Sequence, residues 1–288
     1  MSLVTPLDPG SSARARAARP ATQVRESVHS TLFGRIAAAV ASSCGSEHSV
    51  NEDAHSGLDR TTPIFVVADG VGGGAMAALA SRQLVAHLHA MLEADGIGTL
   101  AVCRAVLDAD RAIAHSIAQL TDAPGASTVA LCAPVNVTAS KWLIAWVGDC
   151  RIYRLAAALD ARFEALSADD SFARWHETPP PGSCADDPAR MVGNGAVLRP
   201  NVAFTQLAVG DLLVACSDGV HKHLAEDDWR RLLRDAPGLA ECCEAIVDTA
   251  RAQGSLDDAT VMLIQRAGLA LAQRPARPRR AANDGDAA

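Results

Sequence analysis

A chain of 288 residues is long enough for one large domain or two small ones around a sizeable core. Hydrophobic residues make up 49% and charged residues 20%, an ordinary globular balance, and a net charge of -7 provides no whole-protein basic field to draw the chain to nucleic acid. No apolar run reaches the length of a membrane helix, and the eight cysteines show neither CxxC spacing nor a disulfide framework, so the expectation is a cytoplasmic protein with reduced thiols.

In chain order, the first segment is Ala/Arg/Pro-rich ("ARARAARP"), and so is the last ("RPARPRRAA"). Such composition can bury little surface, so residues 1–32 and 268–288 are expected to be disordered tails around a single domain at 33–267. "RIAAAVASSC" reads as a strand, and "TPIFVVAD" as a second, apolar and β-branched. A long helix follows over about 76–92, with Leu84, Leu88 and Leu92 every fourth residue and Ala80 in the same phase. A second helix over about 100–120 places Val102, Val106, Ile113, Ile117 and Leu120 on one side. "STVALCAPV", "KWLIAWVGD", "RIYRLA", "AFTQLAV", "DLLVACSD" and "ATVMLIQR" read as further strands, with helices near 226–236 and 239–253 between the last two. Residues 169–202 form an irregular stretch rich in Pro, Gly and Asp, long enough to suggest a functional lid. Strands dominate and the helices come in pairs. An α+β architecture of antiparallel sheets with helices on their outer faces fits better than a doubly wound βαβ rhythm.

Four acids mark the ends of apolar strands: Asp69, before Gly70; Asp149; Asp218, before Gly219; and Asp257, which with Asp258 precedes the last strand. Aspartate is a poor strand residue and is costly to bury unpaired. A lone Asp-Gly is ordinary turn chemistry. Four such acids that converge would repel one another unless a cation lay among them, and hard oxygen ligands select Mg²⁺ or Mn²⁺. "HSVNEDAHSG" adds Glu52 and Asp53 between the first two strands, while His55 reads as a hydrogen-bonding residue. Gly70, Gly72 and Ala75 also satisfy the dinucleotide fingerprint G-x-G-x-x-G/A. Asp69 would then face the pyrophosphate, the acid expected about twenty residues on falls in a helix, and no Gly-Lys-Ser/Thr follows. The dinucleotide reading is therefore the weaker one, with a turn after a metal-binding aspartate as its rival.

In order, the motifs "NEDA" (51–54), "VADGVGGG" (67–74), "GASTVAL" (125–131), "WVGDCRIYRL" (146–155), "GDLLVACSDGV" (210–220) and "GSLDDATVMLI" (254–264) resemble the bacterial metal-dependent Ser/Thr protein phosphatases of the type-2C (PPM) family. The resemblance runs from about 34 to 266. It implies a four-layer α-β-β-α sandwich with a metal site at one edge, binding two Mn²⁺ or Mg²⁺ ions. Asp69 would bridge both ions. The Gly70 carbonyl and Glu52 would hold one, with Asp53 in support, and Asp218 and Asp257 the other. Asp149 matches the acid that binds a third, weaker ion. The implied activity is hydrolysis of phosphoserine and phosphothreonine on proteins by a water activated between the ions, opposing a Ser/Thr kinase. No nucleic-acid or membrane partner is implied.

The family's arginine three residues before the Asn of "NED" is His48 here. A histidine lacks the permanent charge and fork of arginine, so phosphate binding is expected to be weaker and to improve below about pH 6.5. The family's "DHS" reads Asp169-Asp170-Ser171, its "DN-x-T" reads Asp257-Asp258-Ala259-Thr260, and the flap at 172–201 keeps little of the usual pattern. These departures leave open a second reading, a phosphatase-fold phosphoprotein-binding or regulatory protein with little turnover. Arg151 reads as structural, and Cys150 as a small core-edge residue in place of serine.

Overall fold

The computed structural model describes residues 22–31, 34–157, 162–195, 197 and 199–268. In chain order its elements begin with β1 (Gln23–Thr31), β2 (Gly34–Ser43), β3 (Ala54–His55), β4 (Phe65–Val71), α1 (Ala75–Asp95) and α2 (Thr99–Ala118). Next come β5 (Ala126–Pro134), β6 (Lys141–Val147), β7 (Arg151–Leu155), β8 (Phe163–Ala165), α3 (Phe172–Trp175) and β9 (Asn201–Gln206). The series ends with β10 (Leu212–Cys216), α4 (Asp218–His221), α5 (Glu226–Asp235), α6 (Leu239–Ala252) and β11 (Ala259–Ala267).

The strands form a six-stranded sheet, β1-β2-β11-β10-β7-β8, and a five-stranded sheet, β3-β4-β5-β6-β9, with every pairing antiparallel. Their apolar runs are continuous because the strands are covered on both faces. In β4, Phe65 and Val67 point between the sheets, while Val66 and Ala68 point to α1 and α2. In β2, Ile36, Ala38 and Val40 face the other sheet, while Ala39 and Ala41 face α5 and α6. Three apolar cores thus separate four layers, in the expected α-β-β-α order. Leu84, Leu88, Leu92, Val102, Val106, Ile113 and Ile117 all enter the core under α1 and α2, each large aliphatic side chain contributing about 1.5–3 kcal/mol. Phe65 stacks on Trp142, ring centroids 6.0 Å apart, in the inter-sheet core.

Two expectations are corrected. Residues 23–31, placed in the tail, form β1, paired along its whole length with β2. It is a half-exposed edge strand, and its Arg, Glu and His residues are the polar surface that blunts such edges. A mostly polar strand of this kind is hard to distinguish from a tail by composition. Leu120, placed on the buried face of the second helix, lies past the end of α2 and is 64% exposed, because the chain tightens there through Leu120 N–H to Ile117 C=O. The remaining tail residues, 1–21 and 269–288, lie outside the described residues. The antiparallel pairing of β4 with β3 and β5 also rules out the parallel crossover that a dinucleotide fingerprint requires.

Candidate metal centre

The acidic strand ends converge. A cavity of about 350 Å³ is lined by His48, Glu52, Asp69, Gly70, Asp149, Asp218 and Asp257, which are far apart in sequence. Asp69 and Gly70 lie near the end of β4, Asp149 in the turn between β6 and β7, and Asp218 at the start of α4, directly after β10. Asp257 comes from the loop before β11, and His48 and Glu52 from the loop after β2. Antiparallel pairing delivers these ends from both sheets to one edge of the sandwich. A larger depression of about 730 Å³ lies elsewhere and, among the described residues, is lined by no titratable side chain.

The acidic charges in this cavity are only partly balanced by protein groups among the described residues, Lys222 being the cation that lines it. Burial, then the charges of Asp53, Asp218, Asp149 and Asp257, push the Asp69 carboxyl well above the usual carboxylate range. Burial, then the Asp218 charge, push Asp149 up to about 7 against the pull of Lys222. Burial would also raise Asp218, but the Lys222 ammonium outweighs it and holds that carboxyl down. Two buried carboxylate oxygens, Asp53 Oδ1 and Asp218 Oδ1, have no hydrogen-bond partner among the described residues. Orphaned acceptors among mutually repelling carboxylates are what a cation would satisfy. An all-oxygen donor set suits a hard divalent ion. These residues therefore fit the metals that the sequence led us to expect.

The surrounding hydrogen bonds fix the donors. The Glu52 backbone carbonyl accepts from Gly70 N–H (3.1 Å) and Ser81 Oγ (2.5 Å), and its Oε1 accepts from Gly74 N–H (2.5 Å) at the start of α1. Asp53 lies behind the cavity rather than in it, its Oδ2 accepting from Ser217 Oγ at 2.7 Å. His48 Nδ1 lies 2.9 Å from Asp258 Oδ2, 3.6 Å from Asp257 Oδ1 and 3.9 Å from Glu52 Oε1. His48, Asp257 and Asp258 thus also bring ligand atoms within 4.8 Å of one another. However, Asp258 already accepts from Gly45 N–H (2.6 Å) and Glu52 N–H (2.7 Å), which leaves it a poor ligand and a good brace.

Several contributors were missed in the sequence. Lys222 Nζ lies 2.7 Å from Asp218 Oδ2 and 3.4 Å from Asp149 Oδ2. A lysine four residues after an aspartate on a helical turn was the available signal. Arg251 of α6 donates to the carbonyls of Ser43 (2.8 Å), Ser255 (3.2 Å) and Asp257, pinning the loop that carries Asp257. The irregular stretch at 169–202 covers the cavity with Phe172, Pro180, Ser183, Asp187, Pro188 and Met191. It is tied down where Ser127 and Val192 exchange backbone hydrogen bonds of 2.8 Å and where Asp170 accepts from Asn201 Nδ2 at 2.7 Å.

Other expectations resolve simply. Arg151 forks Asp169 at 2.8 and 2.7 Å and is structural. His55 Nδ1 bonds the Ser56 carbonyl at 2.9 Å and is absent from the cavity lining. Cys150 is 1% exposed, and burial pushes its thiol well up, the opposite of a reactive cysteine.

No family model matches the chain. A serine/threonine phosphatase of Listeria monocytogenes, named stp, is 26% identical over 221 residues, covering 71% of this chain and 84% of that protein. PppA, a regulatory component of the type VI secretion system in Pseudomonas aeruginosa, superposes with a TM-score of 0.68 at 24% identity, covering 83% of this chain and 100% of the other. The catalytic domain of the serine/threonine protein phosphatase PstP, solved with two manganese ions, superposes with a TM-score of 0.67 at 22% identity, covering 81% and 98%. The sheet order, the sequence of acidic motifs and these relatives agree: the chain is similar in sequence to bacterial type-2C (PPM) serine/threonine phosphatases and has their fold.

Proposed function

We propose that the protein hydrolyses phosphoserine and phosphothreonine on other proteins, using two Mn²⁺ or Mg²⁺ ions, and opposes a Ser/Thr kinase in the cytoplasm. One observation carries the reading: Glu52, Asp69, Asp218 and Asp257 line one cavity, and the buried Asp218 Oδ1, with Asp53 Oδ1 behind it, has no hydrogen-bond partner among the described residues. The names of the relatives support the substrate class. No described helix is long and apolar enough to cross a membrane.

In this reading Asp69, the Gly70 carbonyl, Glu52, Asp218 and Asp257 would hold the two ions. Such ions acidify a water and offset the charge of the phosphoryl oxygens. The chain's own work is positional. Asp258 and Arg251 fix the loop of Asp257, and Ser217 orients Asp53 behind Asp218. With Nδ1 committed to Asp258, His48 has only Nε2 left to donate to a substrate phosphoryl oxygen. The lid excludes water around the substrate.

The test is turnover of p-nitrophenyl phosphate and of a phosphothreonine peptide with Mn²⁺. Activity should require the metal and disappear in Asp218→Ala. Turnover that survives the Asp218 change would show the metal assignment to be wrong. The second reading, a low-turnover phosphoprotein binder, is favoured by His48 in place of arginine. It predicts phosphopeptide binding without turnover in the same assay.

His48→Arg should lower KM for the phosphopeptide several-fold with kcat little changed, because arginine adds a permanent, forked charge. Burial opposes protonation of His48, but the Asp258 hydrogen bond and the neighbouring carboxylates outweigh it and raise its pKa. The histidine therefore carries its charge below that raised value and loses it as pH rises through it. The wild-type KM should rise with pH across a window above the ordinary value of about 6.5, while that of His48→Arg stays flat. Parallel KM profiles would remove His48 from the phosphate site.

A further inference from the structure

We infer that the Lys222 ammonium is a built-in counter-ion standing between Asp149 and Asp218, so that the centre takes two divalent ions and not three. The inference rests on the metal-site reading above. Asp149 and Asp218 form the pair that would otherwise bridge an additional cation at this end of the cavity. Their side chains are only 3% and 17% exposed, and each presents an Oδ2 to the same Nζ, at 3.4 and 2.7 Å. No other described ion pair involves the carboxylate of Asp149.

The lysine is held in place from both ends. Its backbone N–H donates to the Asp218 carbonyl at 3.0 Å, closing the turn of α4. The preceding residue, His221, pairs through Nε2 with the Asp149 backbone carbonyl at 2.9 Å, so α4 and the β6–β7 turn are locked together.

A small divalent ion such as Mg²⁺ bridging the two carboxylates needs oxygens about 2.0–2.1 Å away. It would have to occupy the space the ammonium fills, and the like charges would repel strongly at such a separation. A tethered ammonium also needs no recruitment from solution, so balancing Asp149 does not depend on metal concentration. Lys222 is thus a specificity-determining residue for metal count.

The experiment counts Mn²⁺ ions per chain by isothermal titration and by electron paramagnetic resonance of free Mn²⁺. The expected counts are two for the wild type, two for Asp149→Asn, three for Lys222→Met, and two again for Lys222→Met/Asp149→Asn. Three ions in the wild type, falling to two in Asp149→Asn, would overturn the inference. Lys222→Met remaining at two while folded by circular dichroism would also overturn it. The Asp149→Asn arm leaves Lys222 intact and so decides the matter even where the lysine variant does not fold. Fewer than two ions in the wild type would instead overturn the metal-site reading on which the inference rests.

Discussion

Asp69→Asn is expected to lower Mn²⁺-dependent turnover by about 10³-fold or more and, in the metal-free protein, to raise the melting temperature. The loss follows from removing the carboxylate proposed to serve both ions, since the phosphoryl charge they offset is worth several kcal/mol. The gain follows from the same crowding that makes the site. Burial and four neighbouring acids push the Asp69 carboxyl well up, so keeping it ionised without metal costs stability. The sign is specific. A carboxyl whose folded pKa lies above its unfolded value of about 3.9 binds protons more tightly when folded. Its cost is absent below the unfolded value and grows as pH rises towards the folded one. The melting-temperature gain of Asp69→Asn should therefore vanish near pH 4 and be larger at pH 8 than at pH 6, at about 2–4 °C per kcal/mol for a domain of this size. Thermal unfolding in chelator across that range measures it. A variant less stable than wild type at pH 8, or a gain independent of pH, would mean that Asp69 is not held under like-charge strain.

The strain was foreseeable because its elements were plain in the sequence. An aspartate closing an apolar run is out of place as a strand residue, and Asp69, Asp149, Asp218 and Asp257 repeat that anomaly at four places. The apolar runs themselves gave both sheets, since Phe65, Val66, Val67 and Ala68 can all be apolar only where both faces are covered. What escaped was of two kinds. β1 is polar and β3 is two residues long, so neither carries enough periodic signal. The supporting residues escaped because their meaning depends on pairing across long separations. Asp258 was visible as an acid, yet that it braces Gly45, His48 and Glu52 depends on contacts more than 200 residues apart. Arg251 reads as a surface residue of a helix until the loop it holds is in place.

The glycine run shows where the reading from sequence was right about the residue type and incomplete about the reason. The expected role was a sharp turn after Asp69. Gly72, Gly73 and Gly74 do take that role, with φ of 117°, 81° and 71°. Gly70 does not: it continues β4 opposite Ser127 and is not among the positive-φ residues. Its constraint is space. A Cβ there would collide with the Ala77 carbonyl of α1 and lie 2.8 Å from the Glu52 carbonyl oxygen, both of them backbone. Neither can move without shifting the first turn of α1 or the loop that carries Glu52.

Gly70→Ala should therefore destabilise the protein by about 3 kcal/mol or more, at the upper end of overpacking costs, and weaken Mn²⁺ binding although every carboxylate is retained. Gly73→Ala is the matched control. Nothing lies within 4 Å of its added Cβ, so its cost is the conformational one of a left-handed backbone, about 1–2 kcal/mol. Denaturant midpoints and Mn²⁺ titrations of the two variants distinguish the causes. If the close approach of β4 to α1 positions the metal donors, Gly70→Ala loses both stability and metal affinity, and Gly73→Ala loses mainly the former. Equal losses of metal affinity would assign the site's geometry to the turn and not to that approach.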